Sequence, residues 1–346
     1  MTKLGIIILT LISLSGAAGP VLLTVPEQPP TFSLAIGGDV LLAGTVGERI
    51  KIHGVNYPWG DVAPFLQQAD LAIVNLETSV AEGGKPQEKT FTFRSRPETL
   101  EGLKAAGVDM VALANNHVLD YGREGLEETL SYLARYEIQH AGAGLNEKSA
   151  YAPAIKEING AKIAFLSFSM VVPPGWQVGN DHPGVAVAYG LDKMLRAVKN
   201  AKDATDFVLV YMHWGIERQS TPSNIQQEIG RELVNAGADL VIGSHPHVLQ
   251  GIEFYRGVPI FYSLGNFVFT NRGLQTTEDT ILLLIEADKN GVASLRAVPF
   301  EIIKNKPTIV GGKDQERIFN RLIKLSSPLG TEVTLDGEIF PIANVP

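Results

Sequence analysis

From Thr31 onward, short apolar runs alternate with stretches whose apolar residues recur at helical spacing, the pattern of an α/β fold with largely parallel strands. The runs predict strands at Phe32–Gly37, Leu71–Asn75, Met110–Ala114, Ile163–Phe168, Phe207–Met212, Leu240–Ile242 and Ile260–Ser263. Helical patterns fill the intervals, for example Arg123–Tyr136 and Leu191–Ala201. Thr280–Ala287 and Ala293–Phe300, separated by Asp288-Lys289-Asn290-Gly291, read as an antiparallel hairpin, so the sheet system is mixed. No internal repeat or second linker interrupts residues 31–305, which form one domain followed by a C-terminal extension of weaker signal, 306–346. The segment Met170–Tyr189, with Pro173-Pro174-Gly175-Trp176, lacks periodicity and is either a lid or an ordinary surface connection.

The N-terminus differs from the rest. Lys3 is followed by an uncharged, mostly apolar stretch from Leu4 to Val25, then by the Pro-rich tether Pro26-Glu27-Gln28-Pro29-Pro30. Residues 1–30 fit either a cleaved secretory signal or a retained membrane anchor, and both place the domain outside the cytoplasm.

Composition narrows the chemistry. Lys and Arg number 29 against 37 Asp and Glu, a net charge of −8, which argues against bulk nucleic-acid binding. The absence of cysteine removes thiolate catalysis, disulfides and sulfur-ligated metals, leaving His, Asp, Glu and Asn as metal ligands.

Those residues fall at the ends of strands. SLAIGGD delivers Asp39, LAIVNLE delivers Asn75 and Glu77, MVALANNH delivers Asn115, Asn116 and His117, VLVYMHWG delivers His213, and LVIGSHPH delivers His245 and His247. Ligands of open α/β sheets bind beyond the carboxyl ends of the strands, so these distant residues are expected to converge on a metal site. Gly37 and Gly38, and likewise Gly243, are expected to let the chain turn sharply there. Pro246 favours extended backbone, which would point His245 and His247 to the same side, each toward one of two adjacent ions. Asp120 could orient His117 through its second ring nitrogen. Asn266 ends another strand and is either a supporting residue of the site or a turn residue. Arg94 and Arg96 either neutralise an anionic substrate or belong to a solvated face. His53, His140 and His182 lack partners in sequence and read as surface residues.

The ordered set GGD, NLE, NNHVLDYG, HWG, GSHPHVLQ and YSLGNFVF resembles the CapA/PgsA family of poly-γ-glutamate capsule synthesis proteins, itself similar to the calcineurin-like metallophosphoesterases. The resemblance spans roughly Ser33 to Phe269. It implies a four-layer sandwich, two mixed β-sheets flanked by helices, with a dinuclear metal centre at the sheet ends and an extracytoplasmic location. By that resemblance Asp39, Glu77, Asn116, His213, His245 and His247 would be ligands, and His117 would contact the scissile phosphate or protonate the leaving group; from the residues themselves, Asp120 joins His117 as the catalytic pair and Asn75, Arg94 and Asn266 are candidate contacts to substrate. Leu41 stands where the metallophosphoesterase pattern usually has His, and Asn-Leu-Glu replaces Gly-Asp. Glu77 must then bridge, and manganese or iron suits the ligand set better than zinc. The partners implied are an anionic polymer or phosphorylated small molecule, the membrane through the N-terminal segment, and a membrane-embedded polymer synthetase. A general phosphoesterase unrelated to capsule, or a non-enzymatic accessory subunit, are the alternatives.

Overall fold

The computed structural model describes residues 31–270 and 273–342; the expected signal or anchor lies outside them. The strands that position the site, in chain order, are β1 (Phe32–Val40), β2 (Leu71–Leu76), β3 (Met110–Ala112), β4 (Gln139–Ala141), β5 (Ala154–Ile158), β6 (Ala161–Ser169), β7 (Phe207–His213), β8 (Leu240–Ser244), β9 (Ile252–Tyr255), β10 (Val258–Phe261), β11 (Asn266–Val268), β12 (Asp279–Asp288), β13 (Gly291–Ile303) and β14 (Lys306–Ile309). They build two large sheets. The first runs β14-β13-β12-β1-β2-β3-β4, with β11 alongside the end of β1; the second runs β9-β10-β8-β7-β6-β5. In the first, β1 to β4 and β11 are parallel while β12 to β14 are antiparallel. In the second, β6, β7, β8 and β10 are parallel and β5 and β9 antiparallel.

Alternation along the strands creates four layers. Phe32, Leu34 and Ile36 of β1, with Leu71 and Ile73 of β2, meet Phe165, Leu209, Tyr211 and Ile242 of the second sheet in one buried cluster between the sheets. The opposite face of the first sheet, through Ala72, Val74 and Val111, packs under Val46, Leu103, Leu126 and Leu133 of the helices that cover it. The outer face of the second sheet, through Leu166, Val208, Val210 and Val241, is covered by Met194 and Val198 of helix Asp192–Ala204 and Ile229 and Leu233 of helix Asn224–Asn235. Both faces of each sheet are therefore buried, which is why the strands read as continuous apolar runs.

Residues after 305 join this core. Helix Gly312–Ser326 inserts Ile318, Phe319 and Leu322 into the cluster between the sheets, and buried Asp279 on β12 binds Arg317 and Arg321 of the same helix. The segment 170–189 is tied down by bridges Gln177 to Val185 and Ser169 to Val187, with Trp176 buried. No helix among the described residues is long and apolar enough to cross a membrane.

Candidate metal centre

The carboxyl ends of β1, β2 and β3 face those of β7 and β8 across the open end of the sandwich. Asp39 lies within β1, Glu77 follows β2, His213 ends β7, and His245 and His247 follow β8. Two groups of possible ligand atoms form, each with all atoms within 4.8 Å of one another: Glu77, His213 and His245, and Asp39, Glu77 and His247. Glu77 belongs to both. Asn116 joins the first group, with Oδ1 2.9 Å from His213 Nε2. The His213 and His245 ring centroids are 4.7 Å apart, those of His245 and His247 5.8 Å.

The backbone reaches this arrangement by a different route from the one the sequence suggests. Gly37 and Gly38 stay within β1, and a Cβ on Gly38 would stand 2.1 Å from the Gly265 carbonyl oxygen. Gly243 likewise stays within β8, where a Cβ would lie 2.1 Å from the Tyr262 carbonyl oxygen. These glycines serve close approach of neighbouring chain rather than a turn. The extended reading of Ser-His-Pro-His also fails: His245 has φ +94° and His247 φ +58°. Two consecutive left-handed histidines around Pro246 send the rings to different ligand groups. Such conformations cost a non-glycine residue about 1–3 kcal/mol each and persist where the surroundings impose them.

Electrostatics identify what the cluster accommodates. Burial pushes Asp39 up, but the charge and hydrogen bond of His247, with bonds from Asn75 and Ser244, outweigh it and hold the carboxyl below its ordinary value. Glu77 is driven well above its ordinary value by burial and then by Asp39. Burial, then neighbouring imidazoles, lowers His213 well below the usual range and His245 to about 3. His247 goes the other way: burial opposes its charge, but Glu77 and Asp39 raise it to about 9. Glu77 and Asp39 thus both favour a positive charge at the position of the His247 ring.

Both oxygens of Glu77, and Nδ1 of His245, are buried without a hydrogen-bond partner. An uncompensated buried carboxylate costs several kcal/mol, and a nitrogen and oxygen donor set around it suits a divalent cation. The residues present therefore fit a metal. At the Leu41 corner they supply no imidazole, because that side chain is buried with Ala43, Phe269 and Ile302.

Supporting residues order the ligands. Asn75 is buried beneath the cluster, not at a surface a substrate could reach; its Nδ2 donates to Asp39 Oδ1 at 2.7 Å and its Oδ1 accepts from Asn115. Asn115 Oδ1 in turn accepts the backbone N–H groups of His117 and Val118, fixing the loop after β3. His213 Nδ1 lies 3.1 Å from Ser244 Oγ, and His247 Nδ1 lies 2.9 Å from Asn266 Oδ1. Asp120 Oδ2 is 2.6 Å from His117 Nδ1, which leaves Nε2 for the cleft above the cluster. Burial lowers His117, and Asp120 partly offsets that.

Arg94 is not brought to this cleft. Its guanidinium donates to the carbonyls of Glu82 and Gly83 and stacks on Tyr121, and it lines a separate groove together with Arg96. Lys89, which the sequence did not single out, reaches the site instead: Nζ donates to Asp120 Oδ1 and to the Asn116 carbonyl, beside His117 Nδ1 at 3.3 Å. It sits in an aperiodic loop, so no sequence signal marks it. His53 stacks on Tyr57, and His140 and His182 also lie outside both ligand groups. His140 is half-buried with an unpartnered Nδ1, so the surface reading of that residue is only partly correct.

Comparison with known proteins adds to the geometry. The family model "Bacterial capsule synthesis protein PGA_cap" matches residues 33–271. The chain is 32% identical over 305 residues to the capsule biosynthesis protein CapA of Bacillus anthracis, covering 86% of this chain and 74% of that one. It is 32% identical over 302 residues to the PGA biosynthesis protein CapA of Bacillus subtilis (strain 168), covering 86% and 79%. Among solved structures it is similar to the NAD nucleotidase of Haemophilus influenzae, with TM-score 0.45 and 13% identity over 86% of this chain and 56% of that one.

Proposed function

Since the chain belongs to the PGA_cap family of bacterial capsule synthesis proteins, we propose that it works outside the cytoplasm on a phosphoester needed to make or anchor an anionic γ-glutamyl polymer, using two divalent cations. The observation that carries this reading is Glu77, which belongs to both ligand groups and whose two buried oxygens have no hydrogen-bond partner. When bound, two such cations supply Lewis acidity and lower the pKa of an attacking water. Asp39 and His247 would hold one, and Asn116, His213 and His245 the other, with Glu77 available to both.

The remaining steps fall to side chains above the cluster. His117 protonates the leaving oxygen from Nε2 while Asp120 steadies the imidazolium through Nδ1. Lys89, on the other Asp120 oxygen, balances the charge of that carboxylate. Asn266 fixes the tautomer of His247, and Phe93 and Phe269 wall the cleft and exclude water. An N-terminal signal or anchor would bring the domain to the outer membrane face, beside a membrane-embedded synthetase.

Elemental analysis of the full chain purified without chelator tests this, with the double variant His245→Ala/His247→Ala as control. Close to two transition metals in the wild type, lost together with aryl-phosphate hydrolysis in the variant, is the expected result. A wild type without metal, or one that is loaded and inert toward phosphomonoesters and diesters, overturns the hydrolytic reading.

A further inference from the structure

The loop between β7 and helix Asn224–Asn235 carries a cation that the site as described does not use. Arg218 is exposed and lines the cleft with Phe93, His117, Glu217, His247 and Asn266. Among the described residues its guanidinium makes no hydrogen bond or ion pair, in contrast with Arg94 and Arg317, which are committed to fixed partners. Its backbone is held tightly. Arg218 has φ +63°, and its N–H donates at 2.7 Å to the carbonyl of Pro246, the residue between His245 and His247.

The loop is braced from below as well. Gln250 Nε2 donates to the Gln219 carbonyl at 2.7 Å, and Gln226 Nε2 donates to Gln250 Oε1 at 2.8 Å, both glutamines being buried. Gly215, at φ +90°, packs against Gln226 where a Cβ would meet the amide at 2.9 Å. The chain thus fixes the root of Arg218 to the histidine loop while leaving its planar fork without an internal partner. A guanidinium on so fixed a root can match a carboxylate bidentately, with only its own side chain left to order on binding.

We propose that Arg218 is the specificity-determining residue of the cleft, binding a carboxylate that the substrate carries apart from the group reaching the candidate cations. The proposal rests on the reading of an anionic γ-glutamyl substrate given above. Glu217 lines the same cleft and opposes an anion, so the pair sets how much negative charge is admitted.

The test is titration calorimetry of the full chain in manganese at low salt, with a short γ-linked glutamate oligomer bearing free α-carboxylates and the same oligomer as α-carboxamides. The wild type is expected to bind the free acid about tenfold more tightly, equivalent to about 1.4 kcal/mol. R218A is expected to lose that preference, R218K to keep part of it as a point charge, and E217Q to bind the free acid more tightly than wild type. A wild type that binds neither oligomer or does not distinguish them overturns the proposal, as does an R218A protein that retains the preference. Because the readout is binding, a chain that takes up metal but hydrolyses no phosphoester can still pass, so failure of the hydrolytic reading is separately visible.

Discussion

His117 Nδ1 lies 2.6 Å from Asp120 Oδ2, and the same carboxylate takes the Lys89 ammonium on Oδ1 and the Phe93 backbone N–H on Oδ2 at 2.7 Å. Asp120 is fully buried, so the pair is rigid, and the imidazole is held in one tautomer facing the cleft.

Replacing Asp120 with Asn keeps the shape but removes the charge that orients and steadies His117. The turnover rate on an aryl phosphate is expected to fall by about 10–100-fold with metal content unchanged, since Asp120 touches no residue of either ligand group through its side chain. Parallel kinetics and elemental analysis read the two quantities, and loss of metal together with rate would assign Asp120 a structural role instead.

Glu77 is a liability to the metal-free fold. Its carboxyl is raised above 4.5, so the folded state holds a proton there that the unfolded chain releases; that contribution is present below 4.5 and is lost as pH rises through the raised value. In chelator at neutral pH, Glu77→Gln is therefore expected to be more stable than wild type, by at least about 1 kcal/mol in chemical denaturation. Added manganese should stabilise the wild type and leave the variant unmoved.

His140 offers a pH dependence separate from the ligand cluster. Burial holds it below 6.5, so the folded protein keeps it neutral, and stability is full above 6.5 and declines as pH falls from there toward the depressed value. His140→Gln is expected to flatten that acid limb. The wild-type minus variant difference in unfolding free energy, measured across the acid range in chelator, should shrink the wild-type advantage as pH drops; a constant difference would show that His140 does not titrate with folding.

Phe319 carries the C-terminal helix into the core between the sheets, where it is 1% exposed. Phe319→Ala is expected to cost about 3–5 kcal/mol of global stability in a single cooperative transition. A separate early transition would instead mark residues 306–342 as an independently melting unit.

The strand ends were legible because both faces of each sheet are buried: long apolar runs made the interrupting Asp, Glu, Asn and His conspicuous, and the α/β/β/α architecture followed from the runs and the resemblance together. What periodicity could not show was backbone detail set by neighbouring chain. The glycines before Asp39 look like a turn until Gly265 is seen packed against Gly38, and Ser-His-Pro-His looks extended until the left-handed φ values of both histidines are known. Lys89 and Arg218 escaped notice because they sit in aperiodic loops whose approach to the site depends on contacts remote in sequence. Arg94 stayed open between a substrate contact and a solvated face for the complementary reason, since a basic residue in a polar run gives no sign that a nearby tyrosine and two carbonyls already hold it.

The six candidate ligands divide evenly between the layers: Asp39, Glu77 and Asn116 come from the first sheet, His213, His245 and His247 from the second. Polar contacts already join the sheets at this end, the Tyr211 hydroxyl donating to the Gly37 carbonyl at 2.9 Å and the His245 N–H to Asp39 Oδ2 at 3.3 Å. The ligand geometry is therefore a gauge of the offset between two slabs that elsewhere meet through apolar side chains. A small shear of one against the other, caused by repacking at Phe165 or Leu283 far from the cleft, would detune both half-sites at once, and conversely an ion seated there would fasten the sandwich at its open mouth.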